Sequence, residues 1–143
     1  MPNFTREKIE HALENETNSN ILELDSTKIS QEKNDILQKL QMPRETLKYF
    51  IRTLKQYRYI DNIDDIILGN YIRWINLSDA DNIKLTNGAF VSDFKETSET
   101  IYLVCKTALG RFFNVDMNKC LIFQKLNAQE ETLLAVINYL NKK

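Results

Sequence analysis

The spacing of apolar residues changes period near Ile66, and that change limits what the chain can fold into. Before it, apolar residues recur every three or four positions, the spacing of a half-buried helix. After it come five short runs rich in β-branched and aromatic residues: Tyr71 to Ile75, Phe90 to Phe94, Ile101 to Cys105, Phe112 to Val115 and Leu121 to Gln124. Side chains of that kind suit a pleated, half-buried surface. Turn-forming residues separate the runs, at 78–82, 86–88, 96–99, Gly110 and 116–119. Helical spacing returns once more in Leu133, Leu134, Ile137 and Leu140.

This order predicts an α+β fold: N-terminal helices, a five-stranded antiparallel small β-barrel, and a closing C-terminal helix. A closed barrel is expected because closure hides strand edges that otherwise pair with other chains. The expected division is a helical region over 1–60 and a small β-barrel with its C-terminal helix over 67–143. Asn87-Gly88 is expected to form a tight hairpin turn, since glycine accepts positive φ. Strict alternation sets Ile101, Leu103 and Cys105 on one face of their strand and Tyr102, Val104 and Lys106 on the other. It also sets Phe90, Ser92 and Phe94 together, opposite Val91 and Asp93. With 143 residues, a core can form without disulfide or metal staples.

The helical elements carry their own signals. Thr5 is a good N-cap, with Phe4 and Ile9 as a hydrophobic staple and Ile9, Ala12 and Leu13 as a short apolar stripe. Ser30 can cap a second helix with Ile36, Leu37 and Leu40 inside. Pro43 opens a third, in which Leu47, Phe50, Ile51, Leu54 and Tyr57 follow helical spacing. Asn127-Ala128-Gln129-Glu130 resembles a capping box with Asn in place of Ser or Thr. Within the closing helix Ile137 is expected to be the best buried.

Chemistry-bearing motifs are scarce. His11 is the single histidine, which excludes two-histidine metal sites, and no nucleophile motif supports a triad with it. Cys105 and Cys120 sit in apolar surroundings and read as buried free thiols, with a redox pair as the alternative. The acidic run Asp61 to Asp65 lacks the length and glycine of a calcium loop and reads as a solvated connector. Three glycines, far apart, cannot cradle phosphates with consecutive amides. No catalytic residue, metal or cofactor is expected.

One local charge pattern stands out in a chain of net charge −1. Arg44, Lys48, Arg52 and Lys55 fall within an arc of about 80° on the third helix, at about 100° per residue. The segment 43–59 holds five basic residues and one acid, Glu45. Such a stripe is either a solvated charged face or a surface for phosphates or an acidic protein. The strand region adds aromatic residues that alternation cannot bury in one interior: Phe112 and Phe113 are adjacent, and Tyr71 and Trp74 point to opposite faces. That surface is covered by the helical region or offered to a ligand. The groove expected in the second case consists of Tyr71, Arg73, Tyr102 and Phe112, where aromatic and basic groups could stack bases or hold a peptide.

Three segments resemble a known group: Leu68-Gly69-Asn70-Tyr71-Ile72-Arg73-Trp74-Ile75, Lys84 to Val91, and Ile122 to Leu126 with Gln129-Glu130. Over about half the chain the pattern is similar to small uncharacterised proteins of large nucleocytoplasmic DNA viruses. The strand plan resembles Tudor-like small barrels, although the Tudor aromatic cage cannot be matched residue by residue. A composition rich in Asn, Ile and Lys, which AT-rich codons favour, fits such a source and many microbes equally. The resemblance carries no catalytic residue.

The function expected is a non-enzymatic binding or scaffold module, viral by the resemblance, acting through protein–protein contacts. The alternative is a nucleic-acid-binding factor using the basic helix 43–59 and the barrel face. No apolar run approaches the ~20 residues of a membrane helix. The segment Met1 to Glu7 lacks the apolar core of a signal peptide. An intracellular location is therefore expected, in the cytoplasm or in a virion.

Overall fold

A computed structural model describes residues 25–78 and 81–141. The expected helix from Thr5, with His11, lies outside the described residues. The fold is α+β, with three α-helices and a six-stranded antiparallel sheet among the described residues. In chain order the elements are α1 (Ser26–Gln38), α2 (Arg44–Thr53), β1 (Tyr57–Ile60), a 3-10 turn (Ile63–Asp65), β2 (Tyr71–Asn76), β3 (Ala89–Glu96), β4 (Ile101–Lys106), β5 (Phe112–Asp116), β6 (Cys120–Lys125) and α3 (Ala128–Asn141). Contacts divide the chain into two compact units. One contains the described residues 25–51 and 126–141, the other Arg52–Lys125.

The expected five-stranded barrel is replaced by an open sheet in the order β1-β6-β2-β3-β4-β5. A sixth strand, β1, is the reason. Tyr57, expected on the third helix, belongs to Tyr57-Arg58-Tyr59-Ile60, which pairs with β6 from Tyr57↔Lys125 to Ile60↔Ile122. That ladder wins over continued helix because aromatic and β-branched residues pack well across strands. The sheet then ends on β1 and β5, and no ladder joins these two among the described residues.

Closure is replaced by a lid made from the chain itself. The connector between β1 and β2 folds over one sheet face, where Ile66 joins Ile60, Ile72, Val91, Leu103, Cys105, Val115 and Ile122 in a buried cluster and Ile63 packs against it. Gln124, fully buried on β6, fastens this connector. Its amide oxygen accepts from the Ile67 N–H at 2.9 Å, and its amide nitrogen donates to the Asp65 carbonyl at 3.1 Å. Buried Arg58, opposite Gln124 in the β1–β6 ladder, adds an ion pair to Asp65 at 3.5 Å.

The β4 alternation is as expected: Leu103 and Cys105 are buried in the core cluster while Lys106 is exposed. The β3 alternation is not. A bulge between Val91 and Asp93 shifts the register, so Phe90 opposes Lys106 whereas Phe94 opposes Leu103. Phe90 and Phe94 therefore lie on opposite faces, because one extra residue reverses every later side chain. Ser92, the extra residue, donates its hydroxyl to the Val104 carbonyl at 2.9 Å.

Gly88 has a positive φ of 98° but does not sit in a tight hairpin turn. It precedes β3 where the chain runs against β2: a Cβ there would lie 2.6 Å from the Ile72 carbonyl oxygen and 2.6 Å from the Tyr71 ring. Close approach explains the glycine.

In the helical unit, Asp25 rather than Ser30 caps α1, accepting from the Lys28 N–H at 2.8 Å. Asn127 and Glu130 form the reciprocal box expected from the sequence, with Glu130 N–H to Asn127 Oδ1 at 2.8 Å and Asn127 N–H to Glu130 Oε1 at 3.1 Å. Leu133 and Leu134 pack with Ile29 in a small buried cluster. Ile137 is only half-buried and Leu140 is exposed, so the best-buried apolar position of α3 lies one turn earlier than expected, at Leu133.

Replacing Gln124 with Leu keeps bulk but leaves the Asp65 carbonyl and Ile67 N–H without this partner. Each such loss costs about 1–3 kcal/mol. Denaturant unfolding of Gln124→Leu is expected to show a loss of about 2–4 kcal/mol on that scale. A change typical of surface sites, within about 0.5 kcal/mol, would show that the clamp is dispensable.

Candidate functional site

The sheet register decides which of the sequence-derived site residues meet. Tyr71 opposes Phe90, Phe90 opposes Lys106, and Lys106 opposes Phe112. These four side chains form one row across four strands, on the face opposite the core cluster. Three strand spacings make the row about 14 Å long. The Tyr71 and Phe90 rings meet edge to face at 5.0 Å, and Lys106 Nζ lies 5.6 Å from the Phe112 ring centroid. At an exposed site such a cation–π contact contributes about 0.5–1 kcal/mol.

The other two groove residues do not join them. Arg73 lies two residues along β2 from Tyr71, and its Nε donates to the Thr86 carbonyl at 2.7 Å. Its guanidinium also hydrogen-bonds Tyr57, whose phenol burial pushes above the ordinary value. Tyr102 opposes Lys95 and Asp116, four residues from Lys106 and so about 13 Å away along the strand. Sequence reasoning left Phe90 and Lys106 out of the groove. Both become evident only when strands are paired, which alternation within a single strand cannot supply.

Strand β5 is an exposed edge of the sheet. Phe112 and Phe113 remain 63% and 46% accessible, on opposite faces of a strand with one ladder partner among the described residues. Thr107 donates to the Arg111 carbonyl and Met117 to the Ile101 carbonyl. Antiparallel bonds alternate, so Phe113 and Val115 bond to β4 while the main-chain groups of Phe112 and Asn114 face outward. The adjoining loop presents Leu109 and Arg111 to solvent.

The basic stripe is shorter than expected. Arg44, Lys48 and Arg52 are exposed on α2, but the helix ends at Thr53, so Lys55 lies in the turn beyond it. Arg58, counted with the same segment, is buried on β1 and paired with Asp65. Arg52, Thr53, Lys55, Gln56, Tyr57 and Lys125 line a pocket of about 410 Å³. Lys125 was not among the expected site residues; it arrives beside Tyr57 through the β1–β6 register.

At the far end of the sheet, a polar cleft of about 590 Å³ is lined by residues including Asp61, Glu96, Glu99 and Asn118. Next to it, the Thr100 hydroxyl donates to Asp116 at 2.6 Å and holds that carboxyl below its ordinary range, helped by the Asn118 N–H. Among the described residues, no three His, Cys, Asp or Glu side chains are grouped to hold a metal ion. No described helix is long and apolar enough to cross a membrane.

Both thiols are free. Burial pushes the Cys105 thiol up to about 11 and raises that of half-buried Cys120 as well. The thiolate is the reactive form. Iodoacetamide at about pH 8, near the free-thiol range, is expected to spare Cys105 in the native protein and to modify it once the chain is unfolded. Modification of native Cys105 at the rate of a free thiol would contradict its burial.

Comparison with protein-family models, with characterised proteins and with solved structures finds no match, so the functional reading rests on this geometry.

Proposed function

We propose that the protein is a non-enzymatic binding module that takes up an extended segment of another protein along the outer edge of β5. One observation carries this reading: an edge strand with outward main-chain groups and an exposed phenylalanine on each of its two faces. Added strands bind through main-chain hydrogen bonds and gain specificity from alternate side chains. The segment expected here sets one apolar residue beside Phe112 and the adjacent one beside Phe113, on the opposite face. It carries an acidic side chain where Lys106 and Arg111 are exposed. If the chain is viral, as its resemblance implies, that partner is a protein met inside an infected cell.

Peptides selected from a displayed random library test this. They are expected to show two adjacent apolar residues with an acidic end and to shift the amide resonances of residues 103–116. Asn114→Pro removes an outward N–H, which an edge strand tolerates. It should weaken binding by about tenfold, the equivalent of 1.4 kcal/mol, while the remaining resonances stay in place. Binding that maps elsewhere, or that ignores Asn114→Pro, would refute the β5 edge as the docking site.

A second reading, binding of nucleic-acid backbone, is favoured by the exposed Arg44, Lys48 and Arg52 on α2. Three phosphate contacts imply a slope of about −2 to −3 in log affinity against log salt. Titration with labelled DNA and RNA decides it: no binding at about 50 mM salt, where such contacts are strong, removes this reading.

A further inference from the structure

We propose that, when no other segment occupies it, the outer edge of β5 pairs with the β5 edge of a second copy of this chain, antiparallel, with Phe113 facing Phe113 across a two-fold axis. The pairing rests on β5 being the open docking edge proposed above, and it gives that edge a resting occupant.

An antiparallel pair of identical strands is self-complementary, because a two-fold axis through one residue presents the same patch on both copies. Exposure limits where the axis can fall. Phe112, Phe113 and Asn114 are exposed, whereas Val115 is buried. Asp116 is engaged at home: its carbonyl accepts from the Lys119 N–H at 3.1 Å, and its own N–H donates to the Cys120 sulfur. The outward main-chain groups left for a new strand are therefore those of Phe112 and Asn114, on either side of Phe113. One symmetric register uses all of them. Phe112 opposes Asn114 of the second copy, and Asn114 opposes Phe112 of the second copy. Each of these pairs exchanges both main-chain bonds. The central Phe113 pair is then of the non-hydrogen-bonded kind, in which side chains stand closest.

The side chains agree with this register. Phe113 is 46% accessible within one chain, and in the pair it meets its twin as a cross-strand aromatic contact. It opposes Cys105 on the face of the core cluster, so the contact continues one apolar face into the other. The register sets no like charges opposite each other. Arg111 faces Val115 of the second copy, and the two Arg111 positions stand about 14 Å apart along the ladder. Asp116 of the second copy falls opposite Gly110, at the end of β5 where Lys106 and Arg111 are exposed. An acid thus reaches the cationic end on both sides of the axis.

The match is incomplete at one position. Phe112, 63% accessible, meets the amide of Asn114 instead of an apolar side chain. A partner segment with apolar residues beside both phenylalanines gains more from the edge than a second copy does, and displaces it. Self-pairing thereby guards an edge that otherwise invites unwanted strands. So short a ladder buries far less than the ~1,200 Å² of stable interfaces, which keeps the pairing weak and reversible.

Sedimentation velocity and amide spectra of the full chain test the proposal across the micromolar to millimolar range. A dissociation constant of about 0.1–1 mM is expected, with concentration-dependent shifts confined to residues 109–116. Asn114→Pro, which removes an outward N–H, is expected to raise that constant about tenfold. Charge at the axis identifies the register. Phe113→Lys and Phe113→Glu are each expected to abolish association alone, because like charges then face each other, and their mixture is expected to restore it. Phe113 is exposed, and amide spectra unchanged outside β5 establish that both variants keep the fold. Peptides selected against β5 are expected to disperse the pairs. A chain that is monomeric at about 1 mM, association that ignores Asn114→Pro, or a mixture no more associated than its components would overturn the proposal. In each of those cases, selected peptides that still shift residues 103–116 leave β5 standing as a docking edge. Peptides that map elsewhere remove the docking edge itself.

Discussion

The sheet unit depends on what becomes of one sheet face, and Gln124 decides it. An open antiparallel sheet can leave one face in water only if that face is polar. Here the face built from Ile60, Ile72, Val91, Leu103, Cys105, Val115 and Ile122 is apolar and needs cover. The cover comes from a connector of ordinary length between β1 and β2. Such a segment brings buried main-chain groups that must be bonded. The Gln124 side chain satisfies a donor and an acceptor in that connector at once, which allows Ile66 to enter the core without leaving its neighbours unpaired. Arg58 serves the same segment from the next strand, where Asp65 balances its buried charge. Two polar side chains inside an apolar unit thus make its lid possible.

The same sheet explains why the molecule's surface is uneven. β6 is paired on both sides, with β1 and β2, and its middle residues are buried. β5 is paired on one side only and exposes three of its five residues. A long apolar edge invites unwanted pairing, and proteins usually shorten it, twist it or charge it. β5 is short, and Lys106 and Arg111 stand at one end of it, yet two phenylalanines remain on its faces. Keeping aromatic residues at the position where pairing is easiest makes sense if pairing is part of the function.

Much of the architecture was legible in the sequence because local chemistry decided it. The Asn127–Glu130 box, the five β-rich runs and the facing of Leu103 and Cys105 follow from spacing and side-chain type. What was missed depended on partners distant in sequence. Tyr57 satisfies a helical and a strand pattern equally, and only pairing with Lys125 resolves the two. The bulge at Ser92 inserts one residue without a glycine to mark it, so Phe94 moves to the other face. The candidate site suffered for the same reason. Tyr71, Arg73, Tyr102 and Phe112 share one sheet face, but sharing a face is not proximity. Register, which only paired strands possess, sets Phe112 beside Lys106 and leaves Tyr102 about 13 Å along the strand.

Charge distribution keeps the two edges of the sheet apart. The net charge of −1 gives the chain no long-range pull on anions, so attraction must be local. Exposed charges more than about 8–10 Å apart are screened from one another in physiological salt. The acidic cleft at Asp61, Glu96 and Glu99 and the cationic pocket at Arg52, Lys55 and Lys125 draw their linings from different residues of the same unit. β1 and β5 occupy the two ends of the strand order, with four strands between them, or roughly 24 Å at the usual spacing. At that distance occupancy of one edge has no direct electrostatic route to the other. Any coupling between the two edges would have to pass through the sheet itself. The two edges are therefore electrostatically separate.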